Sequence, residues 1–250
     1  MSNNLSKIQG ATNAIAVLID PDKSDNGSTL LATLQKAEIA KIDFIFIGGS
    51  TVTRASFQET ATFIKNNSSI PLIIFPGSSQ QISEKADSLL YLSLLSGRNP
   101  DFLIGHHVES ALELSKMDIE IIPTGYLLID GGTKSSVAYV SQTQPIPREN
   151  SSIVKRTAIA GKFQGKKLLF LDAGSGAQFP VPIKIVEAIK DLDIPLIIGG
   201  GIKTIAQIEG LHHAGASVVV IGNKIEEDED FLLEIADYKK GKKSVELKRC

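Results

Sequence analysis

Phe170-Leu-Asp-Ala-Gly-Ser-Gly-Ala177, Ile198-Gly-Gly-Gly-Ile202 and Ile221-Gly-Asn223 share one design: an apolar run that breaks abruptly into glycine. A short run that is apolar at consecutive positions reads as a strand buried on both faces. Glycine directly after it supplies backbone that can take positive φ and come close to a ligand. Exposed N–H groups in such turns, aided by a following helix N-terminus, bind phosphate. One glycine turn would mean little, because glycine also makes ordinary tight turns. Repetition at consecutive strand ends points to a phosphate site, with Ser175 adding a hydroxyl. Asp172, a carboxylate set among these glycines, reads either as a group facing a substrate hydroxyl or as a plain strand-end cap.

Outward from these motifs, short apolar runs recur along the chain. Runs at Ala14–Ile19, Phe44–Ile47, Pro71–Phe75, Ser88–Leu92, Ile119–Leu128, Lys167–Leu171, Pro195–Ile198 and Ser217–Ile221 are separated mostly by helical patterns. Leu30, Leu31, Leu34 and Ala37 share one helical face, as do Phe57, Ala61 and Ile64, and then Ile185, Val186, Ile189 and Leu192. Eight alternating units predict an α/β fold, a TIM (β/α)8 barrel formed by residues 1–250 as one domain. The loops after its seventh and eighth strands are where such barrels commonly bind phosphate. The third βα unit is irregular. Pro76 to Asp87 has room for one short helix and two loops, so the barrel wall is expected to be thin or open there. Gln142 to Ser152, with Pro145 and Pro147, reads as a long loop after the fifth strand. The acidic run Glu226 to Asp230 and the basic run Lys239 to Lys243 read as parts of a solvated last helix.

Composition narrows the classes of function. A net charge of -2 argues against a nucleic-acid binder. The single cysteine, Cys250, cannot form an internal disulfide, which suits a cytoplasmic protein. Met1 to Thr12 lacks the apolar stretch of a signal peptide, and no segment reaches the length of a membrane span. A lipid substrate would have to be met from the water side.

A second group of residues lies at the ends of the first two strands, Leu18-Ile-Asp-Pro-Asp-Lys23 and Gly48-Gly-Ser-Thr-Val-Thr53. Adjacent strands bring Asp20 and Ser50 together at the barrel mouth. One carboxylate, one hydroxyl and waters suit Mg2+, which keeps waters and takes substrate phosphate oxygens. An Asp-Pro-Asp tripeptide also makes turns, and Lys23 either neutralises diphosphate charge or is solvated. His106-His107 and His212-His213 are adjacent pairs on predicted helices, so each pair diverges and reads as surface or packing.

The ordered set Leu18–Lys23, Phe46-Ile-Gly-Gly-Ser-Thr51, Ser96-Gly-Arg-Asn-Pro100, Ile122-Pro-Thr-Gly-Tyr-Leu127, Phe170–Ala177, Ile198–Ile202 and Ile221–Asn223 resembles the geranylgeranylglyceryl phosphate synthase family, with the related bacterial heptaprenylglyceryl phosphate synthases. The likeness runs from about Ala14 to Asn223. It implies a modified barrel lacking one regular helix around the third unit. It implies transfer of a polyprenyl group, geranylgeranyl by the family's name, from its diphosphate to sn-glycerol 1-phosphate, with release of diphosphate. It further implies Mg2+ at Asp20 and Ser50, and substrate contacts from Phe170, Leu171, Asp172, Ala173, Gly174, Ser175, Gly176, Gly200, Gly201, Gly222 and Asn223. Asp172 is the candidate to orient or deprotonate the attacking hydroxyl, and the prenyl tail would lie near Pro76–Asp87. Relatives form dimers or hexamers, so a homo-oligomer is expected. Where many members read Tyr-Leu-Glu, this chain reads Phe170-Leu-Asp172, and Leu18 stands where some carry Lys. Two rivals share the phosphate loops: an isomerase or lyase acting on a small phosphorylated molecule, and a non-catalytic prenyl- or phosphate-binding barrel.

Overall fold

The computed structural model describes residues 3–24 and 27–246. All eight apolar runs are strands: β1 (Ala14–Ile19), β2 (Phe44–Ile47), β3 (Leu72–Ile74), β4 (Ser88–Leu94), β5 (Glu120–Leu128), β6 (Leu168–Asp172), β7 (Leu196–Gly199) and β8 (Val218–Ile221). They pair in sequence order and close into a parallel barrel, with β1 joined to β8 from Ala14↔Val218 to Val17↔Ile221. The helices are α1 (Asn4–Gln9), α2 (Ser28–Ile39), α3 (Arg54–Asn67), α4 (His106–Leu114), α5 (Ser136–Ser141), α6 (Ser151–Phe163), α7 (Ile183–Ile189), α8 (Ile205–Ala214), α9 (Asn223–Glu227) and α10 (Phe231–Glu246). Among the described residues, no helix is long and apolar enough to cross a membrane.

Strand alternation divides the apolar side chains into two cores. Ala16, Phe46, Ile73, Leu90, Ile122, Phe170, Ile197 and Val220 fill the barrel. Their neighbours Val17, Ile45, Leu72, Leu89, Leu171, Ile198 and Val219 pack outward, with the helical faces read from the sequence. Every strand therefore buries both faces, which is why the runs are continuous. Helix α1 adds its buried Ile8 to the inner core. Its buried Asn4 donates to Ser88 Oγ at 2.7 Å, tying the helix to the start of β4. Sequence patterning read Met1–Thr12 only as polar, because a six-residue helix is too short to show a period.

The third unit has no helix at all. Where a short one was expected, Pro76–Asp87 runs as turns, since no part of it offers a helical stripe. Buried side chains fix its path instead. Gln81 donates from Nε2 to the Gly49 carbonyl at 2.7 Å and accepts the Gly77 N–H at 2.9 Å. Gln58 of α3 accepts from Ser83 Oγ at 2.8 Å and donates to the Ile82 carbonyl. The expected loop after β5 holds from Gln142 to Asn150, and Ser151 and Ser152 already belong to α6. The acidic run Glu226–Asp230 lies in α9 and the turn after it, not in the last helix as expected, because the chain folds back between Glu227 and Phe231. Lys239 does belong to α10 and pairs with Asp43 at 2.7 Å. Cys250 lies outside the described residues.

Gln81 joins the loops after β2 and β3, so its loss should be felt. Gln81→Ala removes two hydrogen bonds made by a buried side chain and is expected to destabilise the protein by about 1–3 kcal/mol. Urea unfolding measures this, and an unchanged midpoint would contradict the role.

Candidate functional site

A cavity of about 390 Å³ opens at the C-terminal ends of the strands. Its floor is aromatic. Phe75 stacks on Phe170 with ring centroids 4.6 Å apart, and Tyr126 meets both rings edge-on at 5.7 and 5.8 Å. These rings close the barrel interior beneath the site.

Asp172 stands above this floor at the end of β6, with 9% of its surface exposed. Its Oδ2 accepts the Tyr126 hydroxyl at 2.6 Å and its Oδ1 accepts the Gly174 N–H at 2.8 Å. Burial pushes the Asp172 pKa up, while the two hydrogen bonds pull it back toward the ionised form. Tyr126 is pushed well above the ordinary phenol range, first by burial and then by the Asp172 charge, so it stays a donor. Tyr126 pairs in register with Phe170 on the neighbouring strand, which places its ring beside Phe170 and its hydroxyl at the Asp172 carboxylate. No local motif marks this pair. The available signal was period two along β5, which turns Ile122, Thr124, Tyr126 and Leu128 the same way.

Glycine lets the next strand end approach this carboxylate. Gly200 has φ of +82°, and a Cβ there would meet Asp172 Oδ1 at 2.6 Å and Gly174 N at 2.7 Å. Gly176, at φ of +71°, has nothing within 4 Å of a built Cβ and borders the cavity. Its N–H donates to Asn223 Oδ1 at 2.8 Å, and Ser175 Oγ donates to the same oxygen at 3.2 Å. The predicted contact residues Phe170, Asp172, Ser175, Gly176, Gly200, Gly201, Gly222 and Asn223 line the cavity together. Leu171 and Ala173 do not. Leu171 points into the outer core, and the Ala173 N–H is used by the Gly199 carbonyl at 3.0 Å. Gly174 lies behind the lining and serves Asp172.

At the ends of β1 and β2, Asp20 and Ser50 both line the cavity. A Cβ on Gly49 would lie 2.5 Å from Asp20 Oδ1, so glycine is what lets this carboxylate rest against the β2 turn beside Ser50. Asp20 Oδ1 also accepts the Asp22 N–H at 3.1 Å. Desolvation raises the Asp20 pKa, and the Glu226 charge adds to that rise. Among the described residues no group of three or more His, Cys, Asp or Glu side chains could hold a metal ion. A single carboxylate with a neighbouring hydroxyl fits a hydrated Mg2+ that takes its remaining oxygens from water and substrate.

The missing third helix changes one wall. Leu89 and Tyr91, which alternate with the inward residues of β4, border the cavity together with Ile82, Phe102, His106 and His107. This branch lies between the bare edge of the third unit and α4. His107 stacks on Tyr91 at 3.8 Å and reaches the Leu92 carbonyl at 2.7 Å, and burial lowers its pKa. Both histidines of this pair lie on α4, as expected, and both also face the cavity, which their adjacency in sequence did not reveal. His212 is buried at the Ala14 carbonyl and His213 is exposed.

A closed eight-stranded parallel barrel, its site at the C-terminal strand ends and its third helix absent, defines a modified (β/α)8-barrel protein. The chain belongs to the PcrB family, whose pattern matches residues 11–239. It is 47% identical to the geranylgeranylglyceryl phosphate synthase of Zunongwangia profunda over 86% of this chain and 92% of that one. It is 40% identical to the enzyme of the same name from Pyrococcus furiosus, over 84% and 83% of the two chains. Its structure is similar to the crystal structure of (S)-3-O-geranylgeranylglyceryl phosphate synthase from Thermoplasma acidophilum in complex with its substrate sn-glycerol-1-phosphate. That likeness has a TM-score of 0.89 at 34% identity and covers 95% of this chain and 98% of that one.

Tyr126→Phe removes the hydroxyl that favours the ionised carboxylate. The Asp172 titration is then expected to move up by about one to two pH units, the worth of a hydrogen bond to a charged group. Carboxyl NMR reads this directly, and an unmoved midpoint would contradict the assignment.

Proposed function

We propose that this protein is a prenyltransferase that joins a polyprenyl group, geranylgeranyl by the names of its relatives, to sn-glycerol 1-phosphate and releases diphosphate. The observation that carries this reading is the shape of the cavity. A glycine-rich polar end around a buried carboxylate continues into an apolar branch along the wall where a helix is missing. A small phosphorylated sugar would use the first part and leave the second empty. The likeness to a synthase solved with sn-glycerol-1-phosphate supports the polar end as the place for the glycerol phosphate.

On this reading, N–H groups of the turns at Gly176, Gly200 and Gly201, with Ser175 and Asn223, bind the phosphate and fix the glycerol. Asp172, held by Tyr126 and Gly174, faces one glycerol hydroxyl and accepts its proton as the oxygen bonds to the allylic carbon. The bond from that carbon to diphosphate breaks and its electron pair leaves with the diphosphate. Asp20 and Ser50 would hold Mg2+, which supplies positive charge to the leaving diphosphate. Lys23 Nζ, 3.9 Å from Asp20 Oδ2 and 3.5 Å from Ser175 Oγ, adds a positive charge between the leaving diphosphate and the glycerol phosphate. The apolar branch from Ile82 to His107 holds the prenyl chain and keeps water from the allylic carbon. Much of the rate comes from orienting two bound substrates. Phe170 takes no part in proton transfer. It forms the floor, and the hydroxyl that touches the carboxylate comes from Tyr126.

Labelled geranylgeranyl diphosphate incubated with sn-glycerol 1-phosphate or its 3-phosphate enantiomer, with Mg2+ or with EDTA, tests the whole reading. Product is expected only with the 1-phosphate and Mg2+. Asp172→Asn is expected to lower kcat by about 10²–10⁴, the usual worth of a general base. Asp20→Ala is expected to abolish the Mg2+-dependent rate, and retained Mg2+-dependent turnover would sink the metal assignment. Because burial raises the Asp172 pKa above the ordinary 3.8, and only the ionised form accepts a proton, the rate should fall with acid at a pH above that value. An acid limb at or below it would count against Asp172 as the base.

A further inference from the structure

The polar end of the cavity is closed on itself by a chain of contacts that no substrate contributes. Lys23, from the turn after β1, donates to Glu226 Oε2 of α9 at 2.9 Å and lies 3.5 Å from Ser175 Oγ. Glu226 Oε2 also accepts the Asn223 amide N–H at 2.9 Å. That bond turns the Asn223 carbonyl oxygen toward the Gly176 N–H and the Ser175 hydroxyl. Two internal oxygens thus occupy donors suited to an anion: Asn223 Oδ1 on Gly176 and Ser175, and Glu226 Oε2 on Lys23. All five residues line the cavity.

We infer that Glu226 is an internal counter-anion that sets the affinity of this site, holding Lys23 until a substrate phosphate exchanges for it. The inference rests on the phosphate site proposed above and assigns its regulation to a residue outside the glycine turns. Coulomb attraction between Lys23 and an arriving phosphate competes with the contact already made to Glu226. A phosphate oxygen that takes the Gly176 N–H must also displace Asn223 Oδ1, which Glu226 holds in place. Both effects weaken binding, and both favour release once the reaction is over, when Lys23 returns to Glu226. Because the Lys23 and Glu226 side chains are 42% and 26% exposed, the effect is a moderate one.

Glu226→Gln isolates the charge. The amide oxygen can still accept from Asn223, so the orientation of that side chain is kept while the negative charge is lost. Calorimetric titration with inorganic phosphate at low ionic strength, without metal, provides the readout. Glu226→Gln is expected to tighten phosphate binding about three- to fivefold, the scale of an exposed ion pair. In a Lys23→Met background, the same change is expected to alter binding by less than about 1.5-fold, because the partner it acts through is gone. In turnover the Glu226→Gln enzyme is expected to show a lower KM for the glycerol phosphate with no gain in kcat. Equal tightening in both backgrounds would mean general repulsion and overturn the inference, as would no tightening in wild-type Lys23. If the wild-type protein binds no phosphate, the phosphate site itself fails. If it binds phosphate normally and Glu226→Gln changes nothing, only the counter-anion role fails.

Discussion

A carboxylate buried at the mouth of a barrel must find donors from the protein, because burial without them disfavours its charge. Asp172 finds two: the Tyr126 hydroxyl from β5 and the Gly174 N–H from its own turn. Much of the site follows from that need. Tyr126 must face inward, so β5 and β6 must pair with Tyr126 opposite Phe170. Phe170, one pleat below on the same face, stacks with Phe75 and seals the interior. The turn after β7 must pass close to the carboxylate, which only a residue without Cβ at positive φ allows, and Gly200 is that residue. The glycines that form the cradle are thus set by the carboxylate as well as by any ligand.

The second constraint is an absence. A regular third helix would cover the outer side of β4. Here Pro76–Asp87 is pinned by Gln81 and Gln58 instead, and the cavity extends past Leu89 and Tyr91 toward α4. The polar end of the cavity therefore continues into an apolar branch along that wall. A substrate with a charged head and a long apolar tail matches that division.

The strands were legible because parallel barrels bury both strand faces, which leaves continuous apolar runs. The glycine turns, Asp172, Asp20 and Ser50 could be placed from strand ends alone. Residues that act across strands were harder to see. Tyr126 and Asp172 meet through register, which no local pattern encodes. Leu171 and Ala173 sat inside a motif, yet alternation turns Leu171 outward, and the ladder uses the Ala173 N–H. Glu226 read as part of a solvated acidic run, because charge composition does not say which carboxylate faces the mouth. The N-terminal helix was too short for any period, and its role rests on Asn4 and Ile8, two buried side chains.

On the proposed reading one cavity holds a glycerol phosphate with a hydroxyl at Asp172. A crystal structure of this protein with sn-glycerol 1-phosphate tests it most directly. The phosphate is expected on the turns at Ser175–Gly176, Gly200–Gly201 and Asn223, with one glycerol hydroxyl within hydrogen-bond distance of the Asp172 carboxylate. A phosphate bound at those turns with its hydroxyls directed away from Asp172, or bound elsewhere on the barrel, would contradict it.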